Sequence, residues 1–132
     1  MKNKRNKFGT VALCDQVYMD KDTGKTILAG MFSGDILTDR FPSMVPCAFY
    51  VEIRDLIETS PAATFEIVVG KKIWKRATTT IDTSDSKGPA ILVFQAENLL
   101  FSEPSTIRLQ AKIGSSKKIT LMEKTVTLRP NA

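Results

Sequence analysis

Apolar and polar residues alternate along short stretches of this chain, and turn-forming residues separate one stretch from the next. A period of two is typical of a strand with one buried face. The alternation is clearest over residues 47–54. One face of that strand would carry Cys47, Phe49, Val51 and Ile53, and the other Ala48, Tyr50, Glu52 and Arg54. No stretch shows a helical period with capping residues.

The same pattern predicts about eight strands in all. They cover residues 10–18, 26–32, 47–54, 65–69, 73–81, 90–96, 106–113 and 119–128. Ile36 and Leu37 would continue the second strand after an irregular step. Residues 20–25 have the composition of a hairpin turn, with Gly24 placed where a positive φ is needed. Residues 82–89 form the longest polar segment and are predicted to be a mobile loop.

Some positions predict departures from regular strands. Gly30 indicates either a bulge or a close approach to the backbone. Pro42 and Pro46 make residues 41–46 a connector, because proline cannot donate to a central ladder. The alternation slips near Glu123, and a bulge would explain the slip.

Short strands joined by polar turns, without crossover helices, favour an antiparallel β-sandwich that is immunoglobulin-like in its general architecture. A closed β-barrel is the alternative. The order of cysteines and tryptophan differs from that of immunoglobulin domains, because Trp74 follows both Cys14 and Cys47. We expect two buried, reduced thiols. A disulfide between them would require their two strands to face each other.

The length of 132 residues suits one domain with a single core. We predict a basic, flexible N-terminal tail over residues 1–8 and one β-sandwich domain over residues 9–130. Four basic residues lie in the tail, namely Lys2, Lys4, Arg5 and Lys7. Most of the net charge of +5 therefore belongs to the tail, and the domain itself is nearly neutral. Such a tail either contacts phosphates or is simply solvated.

Absent features argue against several functions. The chain has no histidine, which is the commonest general base and metal ligand, and no apolar run long enough to cross a membrane. The apolar residues 11–14 are too few for a secretory signal, so cytoplasmic residence is expected. Ser-x-x-Lys occurs at residues 84–87 and 115–118, but in hydrophilic turns where a lysine stays protonated at neutral pH. We expect no enzymatic activity and no cofactor.

The acidic turn at residues 20–24 resembles a calcium loop only superficially. Its glycine is the fifth residue instead of the sixth, and the twelfth position is Met31 instead of glutamate. Aspartate and glycine are also what a tight turn requires. A calcium site shared with Asp82 and Asp85 is the alternative, and we assign no metal site.

The densest basic cluster outside the tail surrounds the only tryptophan. It consists of Lys71, Lys72, Trp74, Lys75 and Arg76. On a regular strand Lys72, Trp74 and Arg76 would share a face, where the ring could stack a base and the cations could meet phosphates. We favour an edge strand instead, because lysines on an edge prevent pairing with other chains.

Four short motifs follow one another along the chain, namely Ala12-Leu13-Cys14-Asp15, the Gly24-Lys25 turn, the Gly30-Met31-Phe32 strand and the Phe41-Pro42 connector. In this order the chain resembles a family of short, uncharacterised bacterial proteins, a domain of unknown function. The resemblance lies mainly over residues 11–46. It implies a bacterial or phage-related origin and a β-sandwich, and it assigns no catalytic or binding residue.

The sequence thus predicts a non-catalytic binding or assembly module, with a protein partner or a homodimer as its complex. Its working surface would be the loops at the ends of the sandwich or an exposed sheet edge. The alternative is nucleic-acid binding through the basic tail and the basic cluster of residues 71–76.

Overall fold

The computed structural model describes residues 5–83 and 89–130, so most of the predicted mobile loop lies outside the described residues. The described chain forms strands and turns without a helix. Its strands are β1 (Lys7–Met19), β2 (Thr26–Met31), β3 (Ile36–Thr38), β4 (Ser43–Asp55), β5 (Ala62–Val69), β6 (Lys72–Thr80), β7 (Ala90–Phe101), β8 (Ser105–Ile113) and β9 (Ile119–Leu128).

The strands form two open sheets. Sheet A has the order β2-β1-β4-β7, and sheet B has the order β3-β9-β8-β5-β6. All neighbouring strands are antiparallel except β3 and β9, which run parallel. The all-β prediction is confirmed, and the arrangement is sandwich-like. The closed-barrel alternative is wrong, because each sheet ends in two strands that do not pair with the other sheet.

The main core joins the inner faces of both sheets. Phe49 and Val51 of β4 belong to the same buried cluster as Phe65 of β5 and Leu109 of β8. The rings of Phe65 and Phe94 lie 4.9 Å apart between the sheets. The predicted inner set on β4, which alternates with outward positions, is buried as expected.

Two strand predictions are wrong. Ile36 and Leu37 do not continue β2 but form β3, which crosses to sheet B and buries Ile36 beside Val126 of β9. Residues 41–46 are not wholly a connector either, because β4 begins at Ser43 and contains Pro46. The pairing with β7 is irregular between Val45 and Cys47, so the ladder is already interrupted where proline lacks its N–H.

Other irregularities match their predictions. Gly24 has a φ of 72° in the β1–β2 turn. Gly30 has a φ of 66°, and its backbone lies so close to Asp15 that a Cβ would come within 2.6 Å of the carboxylate carbon. The predicted bulge near Glu123 is present, because the register shifts between Leu109 and Gln110 and leaves Leu121 without a partner.

Candidate functional site

The basic cluster lies on one edge of sheet B. Lys71 is in the β5–β6 turn, and the four other members are on β6, which pairs with β5 on one side only. All five side chains are exposed, as are nearly all residues of β6. The cluster therefore occupies an edge strand, which is the interpretation that the lysines favoured.

A bulge changes the predicted arrangement of this strand. The register passes from Lys75 opposite Ile67 directly to Ile73 opposite Val68, so Trp74 has no partner. Because cross-strand partners share a face, Ile73 lies on the same face as Arg76. The prediction that Lys72, Trp74 and Arg76 share one face is wrong, since regular alternation does not survive a bulge.

Arg76 is engaged within the fold. Its Nη2 lies 2.9 Å from Glu66 Oε2, and Lys118 Nζ lies 2.6 Å from Glu66 Oε1. Glu66 is only 3% exposed, although it alternates with core residues and so lies on the outer face of sheet B. Hydrogen bonds from Lys118, and secondarily from Arg76, hold the pKa of this carboxyl below its usual value.

Three cations of the cluster remain available to a ligand. Lys71, Lys72 and Lys75 form no salt bridge within residues 5–83 and 89–130. Trp74 is exposed beside them. The arrangement can attract an anion, because three lysines lie along one strand edge.

The free edges of the two sheets differ in what they present. β3 has three residues, and β2 has six, interrupted by the positive φ of Gly30. β6 is long, but it carries three cations and a bulge. β7 has twelve residues, and its first half, residues 90–95, is uncharged, regularly paired to β4 and without glycine or proline. The outer face of this half exposes Ile91 and Val93.

The open edge of β7 has no signal in the sequence. The apolar run predicts a strand over residues 90–96, but composition does not tell whether a strand is central or at an edge. The uncharged, lysine-free run even favours a central strand, because edge strands are usually protected by charge or proline.

The β1–β2 hairpin covers part of the outer face of sheet A. Val17 is buried in a small cluster with Cys14 and Ala48, and Leu28 packs against this cluster. Gln95 Nε2 of β7 donates a hydrogen bond of 2.8 Å to the carbonyl oxygen of Val17. This small second cluster explains why the predicted outward positions of β4 include buried residues.

The two cysteines are free and lie in different clusters. Cys47 belongs to the main core, whereas Cys14 lies in the second cluster and donates to the carbonyl oxygen of Ala48 at 3.6 Å. Burial raises the pKa of the Cys47 thiol to about 12 and raises that of Cys14 as well. Neither thiol is placed to act as a nucleophile at neutral pH.

Within the described residues, no three histidine, cysteine or acidic side chains come together as a metal site. The Asp20 carboxylate accepts hydrogen bonds from the backbone of Asp22 and Thr23, at 2.9 Å and 3.4 Å. These bonds lower the pKa of Asp20 and give its carboxylate a structural role in the turn. The same part of the chain holds no helix that could span a bilayer.

Comparisons with protein-family models, curated proteins and solved structures found no match for this chain.

Proposed function

We propose that the protein is a non-catalytic assembly module that pairs with a second copy of itself along the free edge of β7. One observation carries the proposal: residues 90–95 form a long, uncharged, regular strand edge, whereas β6 is charged and bulged. An unpaired strand edge presents backbone donors and acceptors that another strand satisfies directly.

A second copy is the occupant that the chemistry of this edge favours. Two β7 strands related by a two-fold axis would run antiparallel and join two copies of sheet A into one sheet. Ile91 and Val93 of each copy would approach the partner's apolar residues. The edge holds no charge over residues 90–95 that would repel its own copy.

The test compares single substitutions at matched exposed isoleucines. Ile91 of β7 is 44% exposed and Ile73 of β6 is 48% exposed. We expect the wild type to sediment as a dimer at about 100 µM, Ile91→Lys to sediment as a monomer, and Ile73→Lys to behave as the wild type. Sedimentation velocity over a concentration series measures all three.

A wild-type protein that stays monomeric at that concentration would refute the proposal. Ile27→Lys tests the competing edge on β2, because Ile27 is exposed there. Dissociation by Ile27→Lys but not by Ile91→Lys would assign the contact to β2 and contradict the assignment to β7.

Nucleic-acid binding is the second candidate, supported by Lys71, Lys72 and Lys75 beside the exposed Trp74. Fluorescence anisotropy with a labelled oligonucleotide at two salt concentrations tests it, because phosphate contacts give a steep salt dependence. Tight, salt-sensitive binding that weakens in Lys72→Gln would reverse our ranking. Arg76 is a poorer choice for this experiment, since its removal also disturbs Glu66.

Further assignments belong to the same proposal. The two sheets are mostly antiparallel and the chain crosses between them several times, which supports an immunoglobulin-like architecture in general terms. Free thiols are consistent with residence in the reducing cytoplasm. Membership of the family of short bacterial proteins, and with it a bacterial or phage-related origin, stays a prediction from residues 11–46.

A further inference from the structure

A cavity of about 480 Å³ opens at the end of the sandwich, between the start of β1 and residues 114–118. Its apolar surface comes from Ala111, Ile113, Ile119 and Ile57. Ala111 and Ile113 are buried members of the core, whereas the two other isoleucines are each 44% exposed. The volume lies within the range of small-molecule sites, roughly 300–1,000 Å³.

One polar side chain fixes the wall of this cavity. Asn6 donates from Nδ2 to Ser116 Oγ at 3.1 Å, and its Oδ1 accepts from the backbone N–H of Ile57 at 2.9 Å. Asn6 thereby ties the N-terminal segment to both neighbouring loops. These two bonds engage both ends of the Asn6 amide, so apart from its cations the cavity offers mainly apolar surface to a ligand.

The charged groups of the cavity are both positive. Arg5 and Lys117 line it, no acidic residue does, and neither cation forms a salt bridge within the part of the chain that the structure describes. Glu58 follows Ile57 in the chain, but its carboxylate accepts hydrogen bonds from the N–H and hydroxyl of Ser115. These bonds hold its pKa below the usual value.

We propose that this cavity binds a small amphipathic carboxylate, a carboxyl group on a medium-length hydrocarbon chain. The hydrocarbon would lie against the isoleucines, and the carboxylate would lie between Arg5 and Lys117. Apolar contact supplies most of the affinity, and the two cations select an anionic head group over a neutral one. No residue of β7 lines the cavity, so this proposal is independent of the proposed self-association.

Decanoate is a suitable probe, observed by NMR of isoleucine methyl groups. We expect decanoate to shift the signals of Ile57, Ile113 and Ile119 and to leave those of Ile27 and Ile91 unchanged. Shifts centred on Ile27 or Ile91 would show adsorption to the exposed residues of sheet A and would overturn the proposal.

Calorimetry tests the contribution of charge. Arg5→Gln and Lys117→Gln should each weaken decanoate binding by up to about fivefold, the size of one exposed ion pair. Lys72→Gln removes the same charge from a residue that does not line the cavity and should leave binding unchanged. Equal weakening in all three variants, or decanol binding as tightly as decanoate, would refute selection of an anion by these two cations.

Discussion

Glu66 shows how one side chain links three segments of sheet B. It extends from β5, and its carboxylate meets Arg76 of β6 and Lys118, which immediately precedes β9. A buried carboxylate without partners would be costly, but two cations satisfy this one. The contact also explains why the basic cluster is a poor anion site as a whole, since one of its members already has a carboxylate.

Glu66→Gln should therefore destabilise the protein at pH 7 by about 1–2 kcal/mol, because it removes two charge-assisted contacts whose cations are half exposed. A lowered pKa means that the contribution is complete above the ordinary glutamate pKa of 4.5 and is lost as the pH falls through the folded value. Urea unfolding at pH 7 and at about pH 3 measures both.

The difference in free energy of unfolding between the wild type and Glu66→Gln should therefore be large at pH 7 and small at about pH 3. Glu103→Gln, at an exposed position, is the control and should change stability little at either pH. A gap of the same size at both pH values would mean that charge on Glu66 does not stabilise the fold.

The thiols provide a second prediction at the same scale. Cys14 and Cys47 are essentially inaccessible, and burial raises both pKa values. Ellman's reagent should find almost no reactive thiol in the native protein at pH 8 and two after denaturation. A single fast-reacting thiol in the native state would contradict the burial of one residue, and Cys14→Ser would identify which.

At the scale of strands, the β1–β2 hairpin depends on a glycine inside β2. Gly30 adopts a positive φ, and an added Cβ would meet the side chain of Asp15. Gly30→Ala should therefore cost about 1–3 kcal/mol in urea unfolding, from backbone strain together with the clash. Gly34→Ala, where nothing lies within 4 Å and φ is not positive, is the matched control and should be nearly neutral.

A double variant separates the two causes. Adding Asp15→Ala to Gly30→Ala removes the clash but leaves the backbone strain, so it should recover only part of the lost stability. Full recovery would show that the conformation of Gly30 itself carries no cost.

Sequence patterns could predict a strand well where burial has a period of two. β4 is the best case, because Phe49 and Val51 alternate with residues of the opposite face. β3 could not be predicted, since three residues hold no period and their partner, β9, is distant in the chain. The bulge at Trp74 was equally hidden, because a register shift depends on how two strands pair and not on either strand alone.

The candidate sites also differ in whether a local sequence pattern could predict them. The basic cluster was visible because composition alone marks it. The edge of β7 was not, because strand order is a property of the whole sheet. The cavity near Asn6 combines residues from both ends of the chain, so no local pattern could indicate it.

At the scale of the whole molecule, the two long edges have opposite properties. β6 presents Lys72, Lys75 and Arg76, whereas the first half of β7 is uncharged. A molecule with one strand edge that can pair forms a closed two-fold dimer. A molecule with two such edges can add further copies without limit. If β7 is the contact between copies, as we propose, the lysines of β6 would keep the assembly finite.

Lys72→Thr combined with Lys75→Thr should consequently turn a closed assembly into larger ones, because β6 would lose most of the charge that blocks strand addition. Static light scattering over a concentration series should show a mass that keeps rising, while the wild type levels off at a dimer. Lys21→Thr with Lys25→Thr removes the same charge from the β1–β2 turn and should level off as the wild type does. If both double variants grew alike, net charge and not the edge of β6 would control assembly, and the distinction drawn between the two edges would be wrong.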